Sequence, residues 1–315
     1  MRTAIADLAD AAAIDQSFRV GDKQLRVNRD GGKYILLKLA DRTGTITAMM
    51  WNATESIYDS FERGDYVRVG GRSQIHKGNL QIIATKVTPI DPADVDASQF
   101  DRFDASAADA AMDQLQTMLG GLANESLRRL GETFLADTDF VDALKTAAAA
   151  ISNHHAYPGG LIRHTVDLMQ IAALIGPRYE RLDTELLIFG AFLHDLGKID
   201  ELAGDGEIAY TDRGQLVGHI VIGLQMLDEK IAECTASIPT DLRLQLEHMI
   251  VAHHGQLEYG SPRLPQTLEA VALHHIDNMD AKLTSYTAII DSDVSTDSHW
   301  TNYNPAIGRK LYKPG

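Results

Sequence analysis

The chain has 315 residues, 44% apolar and 23% charged, which is enough for two ordinary cores and too many for one small one. No apolar run approaches the roughly 18 residues that a helical bilayer crossing needs, and the formal net charge is −15. The single Cys234 excludes an intrachain disulfide, no basic start followed by an apolar run suggests a signal peptide, and a cytoplasmic protein is expected.

The charge is unevenly spread. Residues 17–90 hold 12 Lys/Arg against 7 Asp/Glu, a net of +5, so the remainder carries −20. A basic N-terminal module joined to an acidic remainder is compatible with a polyanionic partner that the summed charge would argue against. Histidine is equally uneven: of 12, only His76 precedes residue 154.

In chain order, residues 17–90 read as strands. In "KYILLKLAD" Ile35, Leu37 and Leu39 share one face, and Tyr34, Leu36 and Lys38 the other. An Asp-Arg-Thr-Gly turn leads into "GTITAMMW", and "DYVRVGGRSQ" puts Val67 and Val69 inward with Tyr66, Arg68 and Arg72 outward. "KGN" then turns into "LQIIATKV", and a short helical piece in "NATESIYDSFERG" separates the third strand from the fourth. Five strands with one helix after the third is the order of an OB-fold barrel. Tyr34, Lys38, Arg68 and Arg72 on its outer surface are candidates to stack bases and track phosphates of a single strand; Trp51 at a strand end is left aside as a core candidate.

We read residues 1–90 as the OB-fold nucleic-acid-binding domain and 91–105, acidic and without period, as a linker. Residues 106–150 follow as connecting helices, with Asn124 and either Asp137 or Asp139 as caps and a short alanine run at 147–150. Residues 151–300 form a second, helical domain, and 301–315 a basic tail. The expected fold is therefore multidomain: an N-terminal all-β OB-fold barrel followed by an all-α helical bundle.

Within the helical half, "AFLHDLGKID" raises the sharpest question. An apolar helix ends in His194 and Asp195, and an uncompensated buried charge is costly. A neighbouring base or a cation must compensate it. His164, His219, His253, His254 and Asp277 recur in or beside similar apolar segments. Imidazole and carboxylate together suit divalent transition metals, and five histidines with two aspartates exceed what one ion needs. They suit two ions sharing Asp195. Lys198, one turn beyond His194, could steady charge on a phosphoryl oxygen. His154 and His155 would contact the scissile phosphate or the leaving nucleotide, or simply pack a loop. His248, His274 and His275 read as packing or ligand-orienting groups, Asp280 as an acceptor or a helix-surface residue, and His299 as surface.

The ordered set His164, His194-Asp195 and Asp277, with His219, His253 and His254, resembles the HD-domain superfamily of metal-dependent phosphohydrolases over residues 154–282. Together with the barrel, "NHHAYPGGLIRHT", "AHHGQLEYGSPRLPQTLEA" and "HHIDNMDAKL" resemble the bacterial YhaM-type 3′–5′ exoribonucleases. The resemblance implies an HD metal-dependent phosphohydrolase domain and a metal-dependent exoribonuclease that releases 5′-mononucleotides from single-stranded RNA, with single-stranded DNA as a further substrate. Hydrolysis would proceed by in-line attack of a metal-bound hydroxide, with Asp195, Lys198 and His155 as catalytic residues. The expected metal ligands are His164, His194, Asp195, His219, His253, His254 and Asp277. They would hold two divalent ions, Mn first, with Fe, Co, Ni and Zn also compatible. A nucleotide or cyclic-dinucleotide phosphodiesterase, and a single-strand binding protein with a non-catalytic HD scaffold, remain open as alternatives. The sequence leaves room for a homo-oligomer.

Overall fold

A computed structural model describes residues 2–28, 31–76, 78–100, 103–151, 157–204, 208–293 and 298–313, with only the backbone of Ser292. The chain forms two compact units, residues 1–102 with 286–315, and residues 103–285.

In the first unit, β1 (Ala13–Val27), β2 (Lys33–Asp41), β3 (Gly44–Trp51), β4 (Tyr66–His76) and β5 (Asn79–Ile90) close into a barrel in the order β1-β2-β3-β5-β4. The β3–β5 pairing is parallel and the others are antiparallel. α1 (Glu55–Tyr58), capped by the Thr54 side chain, follows β3. The predicted alternation holds: Ile35, Leu37, Leu39, Val67 and Val69 are buried, alongside Phe18 and Ile82. β1 starts at Ala13, ahead of the segment read as strands, because its first residues pair with Arg72–Tyr66 of β4 and so close the barrel. Closure leaves no edge strand to pair with another chain. β4 bends at an irregularity between Gly70 and Gly71, where a Cβ on Gly71 would strike the Ile83 carbonyl.

Asp41 is fully buried at the end of β2 yet well supplied with donors. Oδ1 accepts from the amides of Thr43 and Gly44, and Oδ2 from the Ile5 amide and the Arg2 guanidinium. Hydrogen bonding of this kind is what makes a buried carboxylate tolerable.

Residues 91–100, whose acidity suggests a linker, are packed. Asp91 and Asp96 cap 3₁₀ turns at Pro92–Asp94 and Ala97–Gln99, so the acidic residues serve the backbone. Phe100 is buried against Tyr66 and under the Arg2 guanidinium. The basic C-terminal stretch is folded too. Trp300 bridges to Tyr312 and Asn304 to Arg309, and Lys313 pairs with Asp293.

The second unit begins with α2 (Ala105–Gly120), α3 (Glu125–Ala136) and α4 (Thr138–Thr146), capped by Asp104, Asn124 and Asp137. α5 (Gly160–Ile175) and α6 (Thr184–Leu193) pack on one another, and every residue of α6 from Leu186 to Leu193 is buried. A helix apolar all round belongs at the centre of a core. Phe192 of α6 meets Phe134 of α3 edge-on at 5.3 Å. α7 (Lys198–Glu201) leads through β6 (Leu202–Ala203) and β7 (Ala209–Tyr210) to α8 (Asp212–Val217) and α9 (His219–Glu233). α10 (Thr240–Ala252) and α11 (Leu268–Ser292) complete the unit, whose boundary falls inside α11. Among the described residues, no helix is long and apolar enough to cross a membrane.

Two glycines let α7 wedge between its neighbours. A Cβ on Gly197 would run into the His219 carbonyl and the Gly223 amide, and one on Gly214 into the Glu201 carbonyl. Backbone atoms cannot swing aside as a side chain can. Gly197→Ala is therefore expected to cost about 1–3 kcal/mol through overpacking. In a domain of this size that lowers the melting temperature by roughly 2–4 °C per kcal/mol, measured by thermal denaturation.

Candidate metal centre

The site is built around the end of α6. Asp195 follows His194 directly, and its side chain is 4% exposed. Its two oxygens face different partners. Oδ2 lies 3.3 Å from His194 Nε2 and 3.8 Å from His164 Nε2, while Oδ1 lies 3.6 Å from His219 Nε2 and 3.5 Å from His253 Nε2. Asp277 of α11 adds Oδ1 at 3.3 Å from His164 Nε2. Two groups of donor atoms result, each with all its members within 4.8 Å of one another. One is His164, His194 and Asp277; the other is His219, His253 and His254. Asp195 stands between them.

The imidazoles are aimed by what holds their other nitrogen. His194 Nδ1 donates to the Ala191 carbonyl at 2.8 Å, His253 Nδ1 to the Ile250 carbonyl at 2.7 Å, and His254 Nδ1 to the Tyr259 carbonyl at 2.8 Å. His219 Nδ1 donates to Glu201 Oε1 at 3.0 Å, and the same oxygen accepts the His219 amide at 2.9 Å. His164 Nδ1 lies 3.0 Å from Asp280 Oδ2. A carbonyl or carboxylate can only accept, so each Nδ1 carries the proton and Nε2 is the nitrogen turned toward the centre.

Burial opposes charge throughout this site. Even so, Lys198 and His194 hold the Asp195 carboxyl well below the usual range, and His164 does the same for Asp277. Between Asp277 and Asp280, and against burial, His164 is raised to about 9, so a cation taken up at Nε2 would displace a proton there. Burial and the neighbouring imidazoles push His254 down to about 4, so it is neutral and able to donate a lone pair at pH 7.

The donors fit a divalent cation. His194 Nε2, Asp195 Oδ1, His219 Nε2 and His253 Nε2 are buried without a hydrogen-bond partner. Each such atom costs about 1–3 kcal/mol. Four of them gathered around Asp195, His194 on one side and His219 and His253 on the other, form a pattern that cation binding resolves.

A cavity lined by His164, Asp195, His253, His254 and Asp277 opens onto the donors, and Lys198 lines it too, with its ammonium 2.6 Å from Asp195 Oδ2. His155, and His154 beside it, lie outside the described residues. Asp280 holds His164 rather than facing solvent. His274 donates from Nδ1 to the His253 carbonyl, so it steadies a donor residue through the backbone. His248 accepts the Gln266 amide and is a packing group, while His275 points outward and His299 stacks on Tyr312. The sequence reading passed over Glu201. It is next to Asp200 in α7, and only the folded turn sends Asp200 to Arg213 and Glu201 to His219.

On the barrel, Tyr34 and Lys38 lie opposite Arg26 and Asp22 of β1, whereas Arg68 and Arg72 lie opposite Ser17 and Ala13. The four therefore occupy two regions at opposite ends of β1. Arg68 is held by a two-point ion pair to Asp15, and Arg72 by the Ala11 carbonyl. Tyr34 instead stands against Trp51, ring centroids 4.9 Å apart, with Trp51 44% exposed. Trp51 is thus a surface ring, not core: it lies on β3 directly opposite Tyr34 in register.

Residues 161–282 match the HD domain family, and residues 19–90 match the OB-fold nucleic acid binding domain family. The chain is 30% identical over 304 residues to the 3′-5′ exoribonuclease YhaM of Bacillus subtilis, spanning 96% of this chain and 95% of that protein. The chain belongs to the YhaM family. The YhaM of Halalkalibacterium halodurans is likewise 30% identical, over 96% of this chain and 93% of its own. That of Listeria innocua is 32% identical over 83% and 82%.

Glu201→Ala removes the group that turns His219 Nε2 toward Asp195. Loss of such a supporting acceptor typically weakens metal affinity about 10- to 100-fold. Glu201→Gln keeps an acceptor and is expected to lose less. Elemental analysis after dialysis against graded chelator checks both.

Proposed function

We propose that this chain is a metal-dependent 3′–5′ exoribonuclease that removes 5′-mononucleotides from single-stranded RNA, with single-stranded DNA as a second substrate. His164, His194 and Asp277 hold one divalent ion, and His219, His253 and His254 a second. Asp195 is shared between them, and Mn is the first choice of metal. The observation that carries this reading is the division of the Asp195 oxygens between two donor groups. Relatives along nearly the whole chain bear the name 3′-5′ exoribonuclease.

When bound, such cations acidify water and neutralise charge at phosphorus. The protein's part is to aim the donors. The Nδ1 anchors fix each imidazole before the substrate arrives, so little reorganisation remains at the moment of reaction. Lys198 holds one Asp195 oxygen and brings positive charge to the cavity wall. Among the described residues, the cavity lining offers no serine, threonine or cysteine, and no covalent enzyme intermediate is called for. The convergent donors argue against a non-catalytic scaffold. The pairing of half-buried Tyr34 with exposed Trp51 on a basic barrel argues for a polymeric substrate over a free nucleotide.

Asp195→Asn should abolish cleavage and lower metal content while leaving RNA retention in a gel largely intact. With 5′-labelled RNA, the wild type should give a ladder that shortens from the 3′ end. Undiminished cleavage by the variant at unchanged metal content would refute the shared-ligand role. Separately, Trp51→Ala and Tyr34→Ala should each weaken capture of single-stranded RNA by roughly 1–3 kcal/mol, the size of a base–aromatic stack. Arg68→Ala should do little, since its charge is already matched by Asp15. Fluorescence anisotropy at fixed salt compares them.

A further inference from the structure

One aromatic residue lines the proposed catalytic cavity and touches the donor cluster through its carbonyl, so its ring has no role in holding the cluster. The cavity measures about 400 Å³, within the range of small-ligand sites, and its lining includes the Tyr259 side of the loop after α10. Apart from imidazoles, Tyr259 is the single aromatic residue in that lining among the described residues. The residue is 58% exposed, yet it sits on a fixed turn. Leu257–Tyr259 forms a 3₁₀ turn between Gly255 (φ +75°) and Gly260 (φ +84°), and a Cβ on Gly255 would collide with the His274 ring. Just beyond, the Ser261 hydroxyl lies within hydrogen-bond distance of two carbonyls, Arg263 at 2.7 Å and Val251 at 3.0 Å, and donates to one of them. The Tyr259 carbonyl holds His254 Nδ1 at 2.8 Å, so the ring's anchor point is registered to the donor cluster.

Besides the donors, Lys198, His274 and Asn278, the remaining lining is made of small side chains. Ala149 and Ala150, from the alanine run that the sequence shows without explanation, line this cavity together with Ala281 of α11. Alanines at these positions leave room for a flat group beside the donors.

We propose that Tyr259 is the stacking platform for the base of the 3′-terminal nucleotide, seating the last phosphodiester at the donor cluster without reading sequence. Every base has a π-face, so stacking selects for a nucleobase and tolerates all four. The alanine wall supplies the slot. This rests on the exonuclease reading of the same site.

The test compares two RNA oligonucleotides of identical sequence, one ending in an ordinary nucleotide and one whose 3′-terminal nucleotide is abasic. KM and kcat are measured for removal of that nucleotide by the full-length protein. With the ordinary end, Tyr259→Ala should raise KM about tenfold or more with a much smaller effect on kcat. Tyr259→Phe should retain the wild-type KM, and Tyr259→Leu should not. With the abasic end, the wild type should itself show the raised KM, and Tyr259→Ala should add nothing further. Ala150→Phe, which fills the slot, should raise KM for the ordinary end. The platform is overturned if Tyr259→Leu matches Tyr259→Phe, or if the Tyr259→Ala defect persists undiminished on the abasic end. A wild type that shortens neither RNA overturns the exonuclease reading itself, a distinct outcome.

Discussion

A carboxylate buried between imidazoles organises the second unit. Asp195 sits at the end of an all-apolar helix, where an isolated charge would be intolerable, and its oxygens face two separate sets of nitrogen donors. Each set comes from different helices: α5 and α11 on one side, the start of α9 and the end of α10 on the other. The helical fold around α6 can thus be understood as the means of bringing four other segments to one carboxylate.

Orientation matters as much as proximity. An imidazole free to spin would present either nitrogen, or neither. Here the Nδ1 atoms are tied to backbone carbonyls at the ends of α6 and α10 and to Tyr259, or to the carboxylates of Glu201 and Asp280. The last-turn carbonyls of a helix lack intrahelical donors, so a histidine at a helix end finds an acceptor ready-made. That is why His194 and His253, three residues after Ala191 and Ile250, need no dedicated partner, whereas His219 and His164 do. Close packing follows from the same demand: Gly197 and Gly214 carry no side chain because α7 must bring Glu201 up to the start of α9.

The barrel solves a different problem. It presents a surface to a flexible polyanion and has no need of a deep cleft. Its ends are stitched by polar contacts to Asp41 and by packing of Phe100, so the acidic segment after β5 belongs to the barrel's own stability. Basic residues on the outside are not equivalent. Arg68 is paired with Asp15, while Lys38 lies exposed farther along the strand that carries Tyr34. On the binding surface proposed here, salt-dependent capture by charge and sequence-tolerant stacking by rings would act together.

Much of this was legible in the residues. Period-two alternation in β2 and β4 fixed which face of each strand turns inward, because burying one face leaves no other register. The order of His164, His194-Asp195, His219, His253-His254 and Asp277 pointed to a metal site, because those side chains in apolar helices have few other ways of being satisfied. What the sequence could not supply depends on distances between segments far apart in the chain. The role of Glu201 needs the turn through α7, the exposure of Trp51 needs the β2–β3 register, the pairing of Arg68 needs β1 against β4, and the packing of the acidic stretch at 91–100 needs the barrel already formed. Composition and periodicity report what a residue prefers. Only the folded chain decides which preference is met, since an ion pair, a ring contact or a ligand-holding hydrogen bond exists only once two remote segments lie within a few ångströms.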